Sequence, residues 1–164
     1  MKTVCFIRHA KSSWTDLIRS DFDRMLSKRG KRDLQQMIGR KLWQSYTADC
    51  LLYSPAARTK ATARYLRENS KAGLQSAAIP DLYMGDANTI IQILRAQDDR
   101  CRHIVLVGHN PGIEDLIRSC FPFPYPKFPT LGMAALAWDM DNWADISIQK
   151  AQFLWFDYPK NTTV

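Results

Sequence analysis

The stretch His103-Ile104-Val105-Leu106-Val107-Gly108-His109-Asn110-Pro111 decides the fold. Ile104–Val107 is a short apolar, β-favouring run and reads as a strand. Asn110-Pro111 then opens a helix that carries Ile113, Leu116, Ile117 and Cys120 on one face. The same order of strand, polar junction and helix recurs upstream. Thr3–Ile7 reads as a buried strand and runs directly into Arg8-His9. Cys50–Tyr53 reads as another strand. It is followed by Ser54 as an expected N-cap, by Pro55 at the first helical position, and by a helix to about Asn69 that ends before Gly73.

Between these units, residues 10–27 are polar and aperiodic and read as a long loop. Leu34, Met37, Ile38 and Leu42 recur at helical spacing, which predicts one helix from about Lys28 to Ser45. Gln75–Ile79 is a weak strand, and Asp86 or Asn88 can cap a helix carrying Ile90, Ile91 and Leu94. Four prolines stiffen Phe121–Pro129. Met133–Asp139 and Gln152–Asp157 are the last two strands. Alternating strands and helices predict a single α/β domain over residues 1–164, a three-layer sandwich with a mixed, mostly parallel sheet flanked by helices.

The chain has 164 residues, 46% of them hydrophobic and 24% charged, an ordinary globular composition that excludes disordered and fibrous classes. The longest apolar stretch, Met133–Trp138, is far short of the roughly 20 residues a membrane helix needs. The apolar run before Arg8 is too short for a secretory signal. Cys5, Cys50, Cys101 and Cys120 contain no CxxC pair and read as buried free thiols suited to a reducing compartment. A cytoplasmic protein without membrane association is therefore expected. Net charge is +7, and residues 1–67 hold 15 Lys and Arg against 5 Asp, so an anionic partner is expected. The cluster Lys28–Arg32 has no interleaved aromatic residues, which favours a solvated helix start over nucleic-acid binding.

Chemistry concentrates at the strand-to-helix junctions. His9 and His109 each lie just beyond the carboxyl end of an apolar strand, where ligands bind in open α/β sheets. If the two strands are neighbours, both imidazoles face one crevice. Arg8 lies at the same edge. Arg58 falls in the first turns of the helix after Cys50–Tyr53, where free N–H groups favour an anion. Two guanidinium forks and two imidazoles suit a phosphoryl group, and a neutral imidazole can attack phosphorus. His103 lies at the opposite end of its strand and is given no role. Two arginines at this edge would repel a cation, so neither a metal nor a cofactor is expected.

These junctions resemble known motifs. Arg8-His9-Ala10, continued by Lys11-Ser12-Ser13-Trp14, is similar to the nucleophile motif of the histidine phosphatase superfamily. Ser54-Pro55-Ala56-Ala57-Arg58-Thr59 resembles its second motif, and Gly108-His109-Asn110-Pro111 its third. Ser20–Arg24, Leu26–Gly30 and Phe128–Thr130 extend the likeness to the short SixA-like phosphohistidine phosphatases, over residues 1 to about 157. The resemblance implies a phosphoglycerate mutase-like fold and phosphatase activity. It also implies His9 as the nucleophile that becomes phosphorylated, Arg8 and Arg58 as ligands of the phosphoryl oxygens, and His109 as the group that completes the pocket. Ser12 and Asp21 are implied as substrate-binding residues near the entrance.

One position departs from that pattern. Met84 stands where many SixA-like chains have glutamate, and it cannot supply a proton to a leaving group. Asp86 is either a substitute acid or a helix cap. An absent acid favours P–N substrates, so a phosphohistidine-bearing protein is the expected partner. A small phosphorylated metabolite, or a binding module without catalysis, are the alternatives.

Overall fold

The computed structural model describes residues 1–15, 18–70 and 74–162. Six strands form one sheet: β1 (Lys2–Arg8), β2 (Cys50–Tyr53), β3 (Gln75–Ala78), β4 (His103–Gly108), β5 (Met133–Trp138) and β6 (Gln152–Asp157), in the spatial order β3-β2-β4-β1-β5-β6. β3, β2, β4 and β1 are mutually parallel, and β5 then pairs antiparallel with β1, and β6 antiparallel with β5. The helices are α1 (Lys28–Ile38), α2 (Lys41–Ser45), α3 (Ala57–Glu68), α4 (Ala87–Arg95) and α5 (Gly112–Cys120).

The alternation of side chains along each strand separates the core into two layers. Val4, Phe6, Ile104 and Leu106 pack with the apolar faces of α4 and α5. Cys5, Ile7, Val105 and Val107 point the other way and pack with Leu34 and Met37 of α1 and Ala63 and Leu66 of α3. The central strands β1, β4 and β5 are buried on both faces, which explains why they read as unbroken apolar runs.

The structure corrects three local expectations. The helix expected from Lys28 to Ser45 is two helices, because Arg40 is extended (φ −78°, ψ 143°). Its guanidinium donates to the buried Asp157 carboxylate at 2.8 Å and to the Pro159 carbonyl at 3.0 Å. Ser54 and Pro55 do not start α3, whose N-cap is Ala56, without a side-chain cap. The helix ends at Glu68, and Gly73 lies outside the described residues. Cys50 and Cys101 are joined by a disulfide, with Cα atoms 5.9 Å apart, so only Cys5 and Cys120 are free. A separation of 51 residues hides the adjacency, which arises because β2 lies beside β4 with Cys50 opposite Ile104. The thiol argument for a reducing compartment is correspondingly weakened. Among the described residues, no helix is long and apolar enough to cross a membrane.

The loop from His9 to Ser27 is tied at its base. Ser12 bridges Leu26, and Ser27 donates to the Lys11 carbonyl through both its backbone N–H and its hydroxyl. Gly30 permits this approach, because a Cβ there would overlap the Lys11 carbonyl oxygen. Gly30→Ala should therefore lower stability by about 1–3 kcal/mol, as overpacking does. The same change at a free helix position would raise it by about 1 kcal/mol. Urea-unfolding midpoints distinguish the two signs.

Candidate active site

The carboxyl ends of β1, β4 and β2 bring the site together. Arg8 is opposite Gly108 in the parallel register, and the His9 N–H continues the ladder to the Gly108 carbonyl at 3.1 Å. Both histidines therefore emerge side by side, with ring centroids 5.3 Å apart. Ser54 leaves β2 at the same level, its N–H bonded to Val107, and α3 then delivers Arg58 from its first turn. Four residues from three separate strand ends thus meet, and all but Arg8 are buried.

His9 Nδ1 lies 2.8 Å from the Ala10 carbonyl. A carbonyl only accepts, so Nδ1 carries the hydrogen and Nε2 presents a lone pair. Arg58 Nε donates to that Nε2 at 3.3 Å. Burial, countered in part by the Ala10 hydrogen bond and reinforced by His109, Arg58 and Arg8, pushes the His9 imidazolium down to about 3. Burial, then the Arg58 charge, lowers His109 to about 4. Both imidazoles are thus neutral at physiological pH. His109 Nε2 shares a 2.8 Å hydrogen bond with the Ser54 hydroxyl, and its Nδ1 lies 3.3 Å from Arg58 Nη2.

The cations are positioned by backbone as well as by charge. Arg8 Nη1 donates to the Phe128 carbonyl at 2.8 Å, while its buried Nε has no hydrogen-bond partner among the described residues. Such a donor costs free energy and calls for a functional explanation. Arg58, 4% exposed, donates to the Asp21 carbonyl and, at 3.0 Å, to the Asp21 carboxylate. That carboxylate also accepts from Tyr83 at 3.0 Å and from Arg24 at 2.9 Å. Burial alone would raise the Asp21 carboxyl, but the hydrogen bonds from Tyr83, Arg24 and Arg58 outweigh it and hold it at about 2. Asp21 thus supplies the negative charge on Arg58 in this state. Ser12, a second expected entrance residue, touches the site through Arg24, which donates to its hydroxyl at 2.7 Å and stacks 3.7 Å over the Trp14 ring.

Sequence reasoning missed three participants. Ser54 reads as a cap because Ser-Pro commonly opens a helix, yet its hydroxyl bonds His109. Tyr83 lies edge-on to His109, with centroids 5.6 Å apart, and bonds Asp21 across 62 residues, and no local pattern announces either contact. Arg24 was read only as part of a motif. Asp86 caps α4, its carboxylate accepting from the Thr89 N–H at 2.8 Å. Met84, with φ 59°, is exposed beside Tyr83.

Comparison with known proteins places these residues in context. The family model of the histidine phosphatase superfamily (branch 1) matches residues 4–83. A SixA phosphohistidine phosphatase candidate from Agrobacterium tumefaciens is 26% identical and superposes with a TM-score of 0.80, covering 96% of this chain and 98% of its own. A tungstate complex of the protein histidine phosphatase SixA, 21% identical, has a TM-score of 0.77 over 96% of this chain and 97% of its own. An uncharacterized chloroplastic protein of Arabidopsis thaliana is 28% identical over 123 residues, or 70% of this chain. The chain spans only 56% of that relative's length.

The depressed histidines carry a stability consequence. An unfolded chain protonates them near pH 6.5, whereas the folded protein does so only near 3 and 4. The unfolded state thus binds more protons below pH 6.5, and stability falls as pH drops from 6.5 toward 5. Each histidine contributes up to about 1.4 kcal/mol per pH unit. Urea unfolding at both ends of that window should show the slope, and His109→Gln should reduce it. A flat wild-type profile would contradict the burial of neutral imidazoles.

Proposed function

We propose that the chain is a member of the histidine phosphatase superfamily, whose family model matches residues 4–83, and that it is a phosphatase working through a phosphorylated His9, with phosphohistidine on another protein as substrate. In this reading the substrate phosphoryl group displaces the Asp21 carboxylate from Arg58 and settles among Arg8, Arg58 and His109. His9 Nε2 attacks phosphorus in line. The new P–Nε2 bond forms as the bond to the substrate imidazole breaks, and that imidazole leaves with the proton on its other nitrogen. Water then attacks the phosphohistidine, releasing phosphate and restoring neutral His9. The low imidazolium pKa keeps the nucleophile's lone pair free, and the Ala10 carbonyl fixes its direction.

The substrate choice rests on one observation, the state of the Asp21 and Asp86 carboxyls. Asp21 is held as an anion, and Asp86 is held below the usual carboxylate range by the Thr89 N–H at the start of α4. Met84 carries no proton. Alkoxide leaving groups need an acid, whereas a protonated imidazole departs without one. The Agrobacterium tumefaciens neighbour is a candidate phosphohistidine phosphatase, which agrees with this chemistry.

Phosphohistidine or phosphoramidate should accordingly be hydrolysed about 10²–10⁴-fold faster than simple alkyl phosphates, the usual contribution of general acid catalysis. The gap should narrow for nitrophenyl phosphate, and Asp86→Asn should leave P–N hydrolysis intact. Equal rates on alkyl esters would instead indicate a small-molecule phosphomonoesterase.

Arg58 reaches His9 through Nε, the Asp21 carbonyl through Nη1, and the Asp21 carboxylate and His109 through Nη2, which a single ammonium does not reproduce. Arg58→Lys should lower kcat/KM by about 2–4 kcal/mol in transition-state stabilisation. A near-silent substitution would remove Arg58 from the phosphoryl site.

A further inference from the structure

Glu114 lies in the first turn of α5, and both of its carboxylate oxygens are in use. Oε2 accepts from Asn110 Nδ2 at 2.7 Å and from the Phe128 N–H at 3.1 Å. Oε1 accepts from Arg118 Nε at 3.1 Å and from Arg118 Nη2 at 3.0 Å. Asn110 Nδ2 also donates to the Phe128 carbonyl at 3.0 Å, and Arg8 Nη1 donates to that same oxygen at 2.8 Å. Glu114, Asn110 and Phe128 thus close a ring of hydrogen bonds, and Arg8 is attached at its carbonyl corner. We infer that Glu114 is a positioning residue for Arg8, holding the Phe128 carbonyl where it fixes the guanidinium at the candidate phosphoryl site.

Chemistry assigns the direction of every bond in the ring. Carboxylate and carbonyl oxygens only accept, so Asn110 must turn its amide nitrogen toward both, and its two hydrogens are spent there. Both lone pairs of the Phe128 carbonyl are likewise taken. The Phe128 side chain is fully buried, which fixes where the residue sits. Glu114 at its N–H and Asn110 at its carbonyl fix how its backbone is turned. Arg8 is sensitive to that turn because, among the described residues, its guanidinium makes this one hydrogen bond. A carbonyl free to swing would release the guanidinium, and a fork matched to phosphoryl oxygens would lose its aim. Charge acts in the same sense, since burial lowers the Arg8 pKa, Glu114 opposes that effect and Arg58 adds to it. Arg118 acts elsewhere. It donates to the Phe123 and Tyr125 carbonyls at 3.4 and 2.7 Å and fastens the proline-rich loop to α5.

This role rests on the reading of Arg8 as a phosphoryl ligand, and tungstate, which mimics the phosphoryl geometry, tests it without turnover. In calorimetric titrations of the full chain, Glu114→Ala should weaken tungstate binding about 10–100-fold, the scale of a hydrogen bond to a charged group. Glu114→Gln keeps an oxygen for Asn110 and Phe128 and should restore most of the affinity. Arg118→Ala should lower the urea-unfolding midpoint yet leave tungstate affinity unchanged, which separates loop fastening from positioning. In an Arg8→Ala background, Glu114→Ala should weaken binding no further, because the group it positions is gone. Should Glu114→Ala fail to fold, Glu114→Asp keeps the charge, draws the oxygens back by one methylene and should show the same loss. Additive losses in the double variant overturn the inference. So does wild-type affinity in Glu114→Ala, or a wild-type chain that does not bind tungstate. A chain in which the two losses couple but no phosphorylated substrate is hydrolysed refutes the phosphatase reading and leaves the role of Glu114 standing.

Discussion

The parallel register of β1 against β4 is the constraint on which the site depends. Ile7 opposite Val107 and Arg8 opposite Gly108 bring two histidines 100 residues apart in sequence into one crevice. A slip of one residue would turn Cys5 and Ile7 toward α4 and α5 and rotate Arg8 to the other face. Both faces of β1 and β4 are buried, so such a slip would expose or misplace apolar groups on two layers at once. The register is therefore held by the core, and the geometry of the candidate site follows from it.

Electrostatics then separates the tasks of four similar-looking residues. Burial and neighbouring guanidinium groups keep both imidazoles neutral, so the fixed positive charge belongs to Arg8 and Arg58 alone. Hydrogen bonds on the back of each ring give the histidines different presentations to the pocket. The Ala10 carbonyl leaves His9 with a lone pair at Nε2, and His109 is bonded through Nε2 to the Ser54 hydroxyl. The Asp21 carboxylate, held by Arg58, Arg24 and Tyr83, balances the neighbouring cations.

The strands and their junction residues were legible in the sequence because β1 and β4 are short, apolar on both faces and followed directly by polar signals. The layers and the mixed sheet followed from that alternation. The break at Gly39-Arg40 was not legible, because it depends on Asp157, a distant residue of β6. The Cys50–Cys101 disulfide was likewise hidden, since strand adjacency rather than sequence spacing creates it. Arg8, His9, Arg58 and His109, which the fold brings together, stand out in the sequence because each occupies a junction. Ser54, Tyr83 and Arg24 act through contacts that span 55, 62 and 12 residues, and their residue types are common in loops and caps.

The central claim is that a phosphoryl group resides on His9 during turnover. Brief incubation with a phosphoramidate donor, an alkaline denaturing quench and peptide mass spectrometry test it directly. The account predicts a base-stable, acid-labile phosphoryl group on the His9 imidazole, absent from His9→Ala. A phosphoryl group on another residue, or undiminished turnover by His9→Ala, would contradict it.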